Sequence, residues 1–443
     1  MASTISINSL PIEVRRHIYC LVGQQADKGC RWSDRSVFRL SLAQYATVSR
    51  EWQEAFERFT FYKLHLTPRK LKPFIQIVSS PRRRSNVRMI CFHVSLDRYD
   101  FRLNDVKETK TERMKNSRVV SVAIYAFFRA MTQWQMANAS PLGLKLHFVV
   151  ASPSDLPTTI KGDIGDSVLA LTQRARGSYI ELNIASLSLL SINVFSSFRC
   201  TGRHLQTSSL LTIVSRLPTL TCLGIELSHD TVCEKYIEQR TKFSISLEPS
   251  GGNVTSLILR RPTAFPTSYA MPQKQAWSTF YANMRRFSQQ CENFEFDDCI
   301  DACEFFAPFM GDAAQYISTM SSTPYWDRLK RLRIRNSYMV ARPYLRASTR
   351  TQALASIQRL PVAIGRALSH MPELQNARIC QCLLAEGQLA WFVVTFKCCA
   401  NKAVLDIRGF TAGLPMIDAW RSSTASRNVE LGIHPDPTKS FME

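Results

Sequence analysis

The chain has 443 residues, which is long enough for two or three domains, or for one short unit followed by an array of repeats. Hydrophobic residues make up 45% of the chain and charged residues 21%, a globular composition that excludes a wholly disordered protein. The formal net charge of +21 favours anionic partners such as nucleic acid, acidic lipid or an acidic protein surface. This charge is spread in small groups, at residues 82–84, 285–286 and 328–335, which is more typical of solvated loops and strand rims than of one binding track.

The cysteine content and the apolar runs indicate where the protein resides. The 13 cysteines are scattered, and residues 1–14 lack the basic and apolar regions of a signal peptide. We therefore expect reduced thiols and a location in the cytoplasm, the nucleus or both. The longest apolar run, residues 119–128, is too short to span a bilayer, so it predicts a buried helix and no membrane partner.

Residues 9–61 predict three helical segments. Pro11 suits the first position of a helix, and Glu13 can accept hydrogen bonds from the free N–H groups of the first turn. The apolar positions of the first segment have helical spacing: Val14, Ile18, Leu21 and Val22. Ser49 is a candidate N-cap for the third segment, whose apolar positions are Trp52, Ala55, Phe56 and Phe59.

At these residues the sequence resembles an F-box. The matching pattern consists of Leu10, Pro11, Glu13, Val14, Ile18, Leu21, Leu42, Ala43, Val48, Ser49, Arg50 and Trp52. The continuation through residues 52–67 and 87–100 is similar to the large group of filamentous-fungal F-box proteins. One departure is the stretch 23–38, which stands where F-boxes commonly have a short turn containing Asp and Pro.

The resemblance implies a partner and a role for this unit. F-box proteins bind a Skp-type adaptor through these helices, and the adaptor links them to the cullin scaffold of a ubiquitin ligase. Carried over residue by residue, the adaptor-binding positions are Leu10, Pro11, Glu13, Val14, Ile18, Val48 and Trp52, with Glu13 as support for the helix start. The alternative is a generic three-helix cap on a larger domain.

Between the helical unit and residue 204 the pattern alternates strands and helices. Strands are predicted at 62–66, 87–96, 142–150 and 179–184, and helices at 71–78 and 119–136. The triple arginine at 82–84 is interpreted as a loop, and residues 100–118 as a loop or a solvated helix entry. Residues 152–178, rich in Ser, Pro, Thr, Asp and Gly, are interpreted as a long surface excursion.

From about residue 205 the chain repeats a helix followed by a short strand. The aligned apolar strand positions are Leu223, Leu257, Phe294, Leu332, Ala377 and Leu405, at steps of roughly 30 to 45 residues. This rhythm looks like irregular leucine-rich repeats, which often accompany an F-box, and the alternative is an ordinary α/β domain. Such an array leaves a curved strand face for a partner.

The predicted fold class is α+β or α/β. A short three-helix F-box at residues 6–61 precedes an irregular helix–strand array of the leucine-rich-repeat-like kind, in a body that covers 62–420. Residues 421–443 are polar and predict a cap and a loose tail.

The sequence carries no recognised catalytic motif: it has no phosphate loop, dinucleotide fingerprint, nucleophile elbow or HExxH. The cysteines at 299 and 303, 380 and 382, and 398 and 399 lack the paired spacing of a zinc site and predict core packing. His65, His93 and His147 are interpreted as packing or surface residues. The acidic patch within 292–304 is expected to be solvated or to meet the arginine-rich stretch 328–335. We therefore expect no catalytic residue, no metal and no cofactor.

These observations together favour a non-enzymatic substrate-recognition subunit of an SCF-type (Skp–cullin–F-box) E3 ubiquitin ligase. It would bind the adaptor through the F-box and an unknown target protein through the body. The alternative is a basic nucleic-acid-binding protein without a ligase role, which the net charge favours and the lack of a recognition motif disfavours. An enzyme of unrecognised type comes third, and it requires a deep pocket with convergent polar groups.

Overall fold

The computed structural model describes residues 10–28, 45–103, 106–133, 143–155, 174, 179–183, 189–226, 234–250, 252–260, 274–297, 302–311, 323–336, 350–385, 388–399, 402–408 and 413–435. The chain divides into two compact units, Met1–Leu205 with Arg216–Thr219, and Gln206–Ser215 with Leu220–Glu443. Both are mixed α/β structures in which most paired strands are parallel. The predicted α/β character is confirmed at this level.

In the described part of the first unit, the helices α1 and α2 precede a parallel sheet with order β1-β2-β3-β5. A pair of two-residue strands, β4 and β6, forms a separate ladder. The elements are α1 (Ile12–Lys28), α2 (Arg50–Tyr62), β1 (Lys63–Leu66), α3 (Leu71–Ile77), α4 (Pro81–Asn86), β2 (Met89–Ser95), α5 (Lys110–Thr132), β3 (Leu144–Ala151), β4 (Tyr179–Ile180), β5 (Phe195–Gly202) and β6 (His204–Leu205).

The second unit adds strands in chain order. Strands β7 to β11 are parallel, β12 returns antiparallel between β11 and β13, and β14 pairs parallel with β13. The elements are α6 (Thr207–Ser215), β7 (Cys222–Glu226), α7 (Glu234–Ser250), β8 (Ser256–Arg260), α8 (Lys274–Ser288), β9 (Asn293–Asp297), α9 (Ala302–Phe305), β10 (Arg331–Asn336), α10 (Arg350–Leu368), β11 (Asn376–Ala385), β12 (Gln388–Cys399), β13 (Lys402–Arg408), α11 (Leu414–Ala425) and β14 (Glu430–Pro435).

The apolar positions aligned from the sequence form one row of this sheet. Leu223 pairs with Leu257, Leu257 with Phe294, Phe294 with Leu332, and Leu332 with Ala377, and all are buried. Leu405 belongs to the same row, but Phe396 of the returning strand β12 stands between it and Ala377. The residues that share an alignment position in the sequence therefore occupy matching register positions on the parallel strands.

In β8 and β9, one side of the sheet carries the core. Parallel crossovers are right-handed, so consecutive neighbouring strands place their connecting helices on the same side of the sheet. Burial follows this arrangement, because Leu257, Leu259, Phe294 and Phe296 are fully buried while the residues between them are half-buried. The other side of the described residues of β8 and β9 is therefore partly accessible, whereas β7 is buried on both sides.

Three predictions of the first unit need correction. The triple arginine lies in helix α4, which Ser80 caps and Pro81 begins, and does not form a loop. The helix predicted from residue 119 begins at Lys110, because Thr109 and Glu112 form a capping box, so residues 110–118 are the solvated helix entry that was one of the two interpretations. Asp155 and Arg174, within the predicted surface excursion 152–178, are both buried.

Other boundaries also differ from the sequence-based ones. Helix α1 runs to Lys28 and so includes the first part of the stretch 23–38; the rest of that stretch lies outside the described residues. The predicted second helix of the F-box falls mostly outside them as well. Residues 421–443 were expected to be a cap and a loose tail; of these, residues 421–435 form the end of α11 and the strand β14, and Ser423 and Thr424 are buried. Helix α5 buries residues 120, 123, 124, 127 and 128, as the apolar run predicted. Across the described residues, none of the helices has the length and apolar character that a bilayer crossing requires.

Candidate functional site

Helices α1 and α2 pack around a small aromatic cluster formed by Tyr19, Tyr45, Trp52, Phe56 and Phe59. Tyr19 and Phe56 are its buried centre. The Trp52 ring lies 5.0 Å from the Tyr19 ring and stacks at 5.5 Å on Phe56. Ring pairs of this kind add about 0.5–1.5 kcal/mol each beyond the burial of their area. Trp52 is therefore half-buried and helps to hold the helix pair together.

The start of each helix follows local sequence chemistry. Ser49 is the N-cap of α2, as predicted, and its hydroxyl oxygen accepts a hydrogen bond from the Trp52 N–H at 3.3 Å. Pro11 lies one residue before α1, and its carbonyl oxygen accepts from the Arg15 N–H at 3.0 Å. Arg15 also pairs with Glu51 at 2.5 Å, which joins the first turns of the two helices.

The second feature is an apolar face on α1 that the described residues leave uncovered. Pro11, Val14, Ile18 and Leu21 recur at helical spacing, and Val14 and Leu21 are 43% and 46% exposed. Tyr19 and Val22, which point to the aromatic cluster, lie about a quarter turn away. We call the stripe of Pro11, Val14, Ile18 and Leu21 the α1 apolar face.

The predicted adaptor-binding residues therefore occupy two environments. Pro11, Glu13, Val14 and Val48 are exposed, and Leu10, Ile18 and Trp52 are half-buried. Val48, at 63% exposure, follows Tyr45 in the turn before α2. Trp52 is oriented by the aromatic cluster. Their role in adaptor binding stays a prediction.

A buried carboxylate fixes α2 to α4. Glu57 accepts hydrogen bonds from Arg83 at 2.8 Å, Arg82 at 2.9 Å and Gln53 at 2.9 Å. Burial alone would raise the pKa of Glu57, but the hydrogen bonds from Arg83, Gln53 and Arg82 outweigh it and lower the pKa. Helix α2 continues directly into β1. The helix pair is therefore mounted on the sheet of its unit.

The sequence analysis did not predict the contact of Glu57 with the arginines of α4, nor that Tyr19 packs inward. A signal for helix α4 was present, because Ser80 and Pro81 before the arginines are a typical helix start. The position of Tyr19 gave no such signal, since the adjacent stripe of aliphatic residues has the same spacing and a higher hydrophobicity.

In the second unit, the accessible strand face carries a ladder of opposite charges, which we call the charged face. Glu295 of β9 lies between Arg260 of β8 at 3.3 Å and Arg333 of β10 at 3.5 Å. Asp297 lies 3.7 Å from Arg335. The acidic patch therefore contacts the arginine-rich stretch 328–335 on neighbouring strands, which was one of the two alternatives predicted from the sequence.

The same pairing continues at the start of the strands. Glu292 lies 3.1 Å from Lys330 and 3.4 Å from Arg328. The hydrogen bond from Lys330 is the main cause of a lowered pKa of Glu292. Beyond β10 the face is more cationic, because Arg378 and Lys397 are exposed on β11 and β12. The charged face suits a partner with complementary charges better than an apolar ligand.

The cysteines whose surroundings the structure describes are buried or lie on strands, except Cys303 of α9, which is half-buried; Cys299 lies outside the described residues. Burial raises the pKa of Cys291 and of Cys303 to about 12, which makes both thiols unreactive at neutral pH. Cys380 pairs across the ladder with Val393, five residues along β12 from Cys398, so the two cysteine groups do not converge. Among the residues that the structure describes, no three His, Cys, Asp or Glu side chains are placed to hold a metal ion.

A cavity of about 630 Å³ lies in the second unit between α10, α11 and the turn Ala307–Phe309. Its polar lining includes Arg366, His370 and Asp418. Two of its hydroxyls are engaged with the backbone: Ser423 donates to the Gly365 carbonyl at 2.7 Å and Ser369 to the Arg366 carbonyl at 2.8 Å.

No family model matches the chain, and no curated protein matches it. The features of the chain that bear on its function are therefore the geometry of the helix pair and the strand faces, together with the F-box resemblance of residues 10–52.

Proposed function

We propose that the chain is the non-catalytic substrate-recognition subunit of an SCF-type E3 ubiquitin ligase. The helix pair binds a Skp-type adaptor, and the accessible strand faces bind a target protein. A cullin scaffold and the remaining ligase subunits supply the chemistry. The observation that carries the proposal is the α1 apolar face, an exposed stripe beside an aromatic cluster in the stretch that resembles an F-box.

The energetics of this face are those of a docking surface. Removing apolar surface from water is favourable by about 25 cal/mol per Å², so covering this stripe with a partner helix or groove contributes several kcal/mol to the free energy of binding. The aromatic cluster and the Arg15–Glu51 pair hold α1 against α2, and the Glu57–Arg83 ion pair holds α2 against α4. A preorganised surface loses less entropy on binding.

The body fits the same proposal as a leucine-rich-repeat-like array. Its support is the row of aligned strand residues, the parallel order β7 to β11, and the single accessible strand face. The returning strand β12 makes the array irregular. The target is a protein with mixed or net negative charge, which would complement the charged face.

The test is co-purification with a Skp-type adaptor. We expect Val14→Glu combined with Leu21→Glu to abolish adaptor binding, because both carboxylates would be buried in the interface. The matched control is Val122→Glu on α5, where a valine that is 58% exposed receives the same change outside the predicted contact. Circular dichroism and the melting temperature establish that each variant is folded.

Adaptor binding retained by the folded double variant would contradict the proposal. This design is sharper than Trp52→Ala, because removing a ring from the aromatic cluster would also loosen the helix pair and lose binding for a structural reason.

The alternative is a basic nucleic-acid-binding protein, and one observation favours it: Arg331, Arg378 and Lys397 are exposed on neighbouring strands of the charged face. It predicts binding to non-specific RNA or DNA that weakens steeply with salt. Binding that is absent at 50 mM salt would exclude it.

A further inference from the structure

The last turn of helix α4 carries an exposed serine that directly follows three arginines. Ser85 is exposed, and its hydroxyl donates a hydrogen bond to the Arg82 carbonyl oxygen at 2.8 Å. Arg82 and Arg83 stand three and two residues before this serine. Many serine kinases select their substrates by a charge pattern of this kind. The segment therefore combines the sequence and the exposure of a phosphorylation site.

The same sequence pattern recurs in the chain, and the structure separates its copies by burial. Two arginines, one further residue and a serine or threonine also occur at 260–263, which lies partly outside the described residues, and at 285–288. Ser288 is fully buried, and its hydroxyl oxygen accepts a hydrogen bond from Trp326 Nε1 at 2.6 Å. A kinase that meets the folded chain can therefore reach the hydroxyl of Ser85 but not that of Ser288.

Helix α4 is built so that it can open locally. None of its six residues is buried, and a helix of this length is not stable by itself. It depends on the cap at Ser80 and on contacts of its arginines, such as the hydrogen bond from Arg84 Nε to the Val78 carbonyl oxygen at 3.1 Å. Opening such a segment costs much less than global unfolding. Residues 80–87 can therefore enter a kinase cleft in extended form while the rest of the unit stays folded.

The arginines that precede Ser85 are also those that hold the buried carboxylate of Glu57. Arg82 Nη2 lies 2.9 Å from Glu57 Oε2, and Arg83 Nη2 lies 2.8 Å from Glu57 Oε1. Arg82 Nη1 lies 2.8 Å from Glu54 Oε1. Residues three positions apart are neighbours on a helix surface. A phosphate on Ser85 would therefore compete with both glutamates of α2 for Arg82.

The electrostatics of this competition favour the phosphate. A phosphoserine carries a charge of about −1.5 to −2 at neutral pH and three acceptor oxygens, against one charge on each carboxylate. The phosphate would also stand in the last turn of α4, where the helix dipole disfavours a negative charge. Once its arginines are withdrawn, the buried carboxylate of Glu57 loses its charged partners, which destabilises the contact of α2 with α4.

We propose that Ser85 is a phosphorylation site for an arginine-directed serine kinase, and that the phosphate releases α2 from α4 by drawing Arg82 away from Glu57. In the transfer, Ser85 Oγ forms a bond to the γ-phosphorus of ATP, while the bond from that phosphorus to the β–γ bridging oxygen breaks and ADP leaves. The hydroxyl proton passes to the catalytic aspartate of the kinase. The kinase and ATP are separate reactants. This inference concerns how α2 is held and does not depend on the proposed function.

The first experiment measures phosphate incorporation into the full-length chain. The enzyme is the cyclic-AMP-dependent protein kinase with Mg²⁺ and ATP, and mass spectrometry locates the phosphate. A synthetic peptide of residues 79–89 is the unfolded reference. We expect the peptide and the folded chain both to be phosphorylated at Ser85, and the folded chain to react at least about tenfold more slowly at the buried Ser288. No incorporation at Ser85 of the folded chain, or equal rates at the two serines, would overturn the proposal.

The second experiment compares backbone amide hydrogen exchange in the phosphorylated and unphosphorylated chains. We expect the amides of α2 and α4 to exchange at least about tenfold faster after phosphorylation, because Glu57 has lost its partners, and those of α5 to keep their rates. The matched control is Ser85→Ala taken through the same kinase treatment, in which exchange should not change.

Faster exchange confined to α4, with α2 unchanged, would contradict the release of α2. An equal increase in α5 would contradict it as well, because it would indicate a general loss of stability. Neither experiment contains an adaptor, so a negative result is distinguishable from a failure of the co-purification.

Discussion

His147 makes a quantitative prediction about the pH dependence of stability. Its pKa in the folded chain is about 3, because of burial and the nearby cations, against 6.5 for an ordinary histidine. As the pH falls below 6.5 the unfolded chain takes up a proton that the folded chain does not, so the free energy of unfolding decreases. The loss is about 1.4 kcal/mol per pH unit, or about 2 kcal/mol at pH 5.0.

The His147→Gln variant lacks this proton uptake but keeps a side chain that can hydrogen-bond to Thr201. Between pH 8.0 and 5.0, the wild-type melting temperature should therefore fall by roughly 4–8 °C more than that of the variant, because each kcal/mol shifts the melting temperature of a unit of this size by about 2–4 °C. Differential scanning calorimetry over this pH range checks the difference, and His17→Gln, on an exposed histidine of α1, is the matched control. An equal fall in melting temperature for the wild type and His147→Gln would refute the explanation that burial and nearby cations lower the pKa of His147.

Three further substitutions test the packing of the two units. Arg203→Met should destabilise the first unit by about 3–5 kcal/mol in urea unfolding, because the arginine pairs with the fully buried Asp155 at 2.8 Å; a loss below about 1 kcal/mol would argue against a structural ion pair. Gly365→Ala should cost about 1–3 kcal/mol, since the added Cβ would lie 2.8 Å from Trp420 Cδ1, and an unchanged unfolding midpoint would show that the site has room. Thr109→Ala should cost about 1 kcal/mol through loss of the capping box, measured by thermal unfolding, whereas Thr109→Ser should remain close to the wild type.

The α1 apolar face and the charged face differ in how far the sequence predicted them. The spacing of Val14, Ile18, Leu21 and Val22 predicted one helical face, and the structure divides it: Val14 and Leu21 are exposed, whereas Val22 packs against the aromatic cluster. Spacing alone could not decide this orientation, because Tyr19 and Val22 offer a competing apolar side a quarter turn away. The orientation was decided by the aromatic cluster, where Tyr19 meets Trp52 and Phe56.

The charged face, and the meeting of three histidines on β1, β2 and β3, were harder to predict from the sequence. His65, His93 and His147 are separated by many residues, and nothing in their local sequence indicates a shared site. They meet because β1, β2 and β3 are parallel neighbours in one register. A shift of one residue in any strand would move its histidine to the buried side.

The sequence by itself determined the local structure: the cap at Ser49, the apolar helix of residues 120–128, and the row from Leu223 to Ala377. These depend on neighbouring residues or on a repeat, so the pattern is readable along one chain. Tertiary structure alone decided that Glu57 meets Arg82 and Arg83, that Asp155 and Arg203 are buried together, and that strand β12 returns antiparallel. Those contacts join distant residues, and their free energy exists only once the strands and helices have packed.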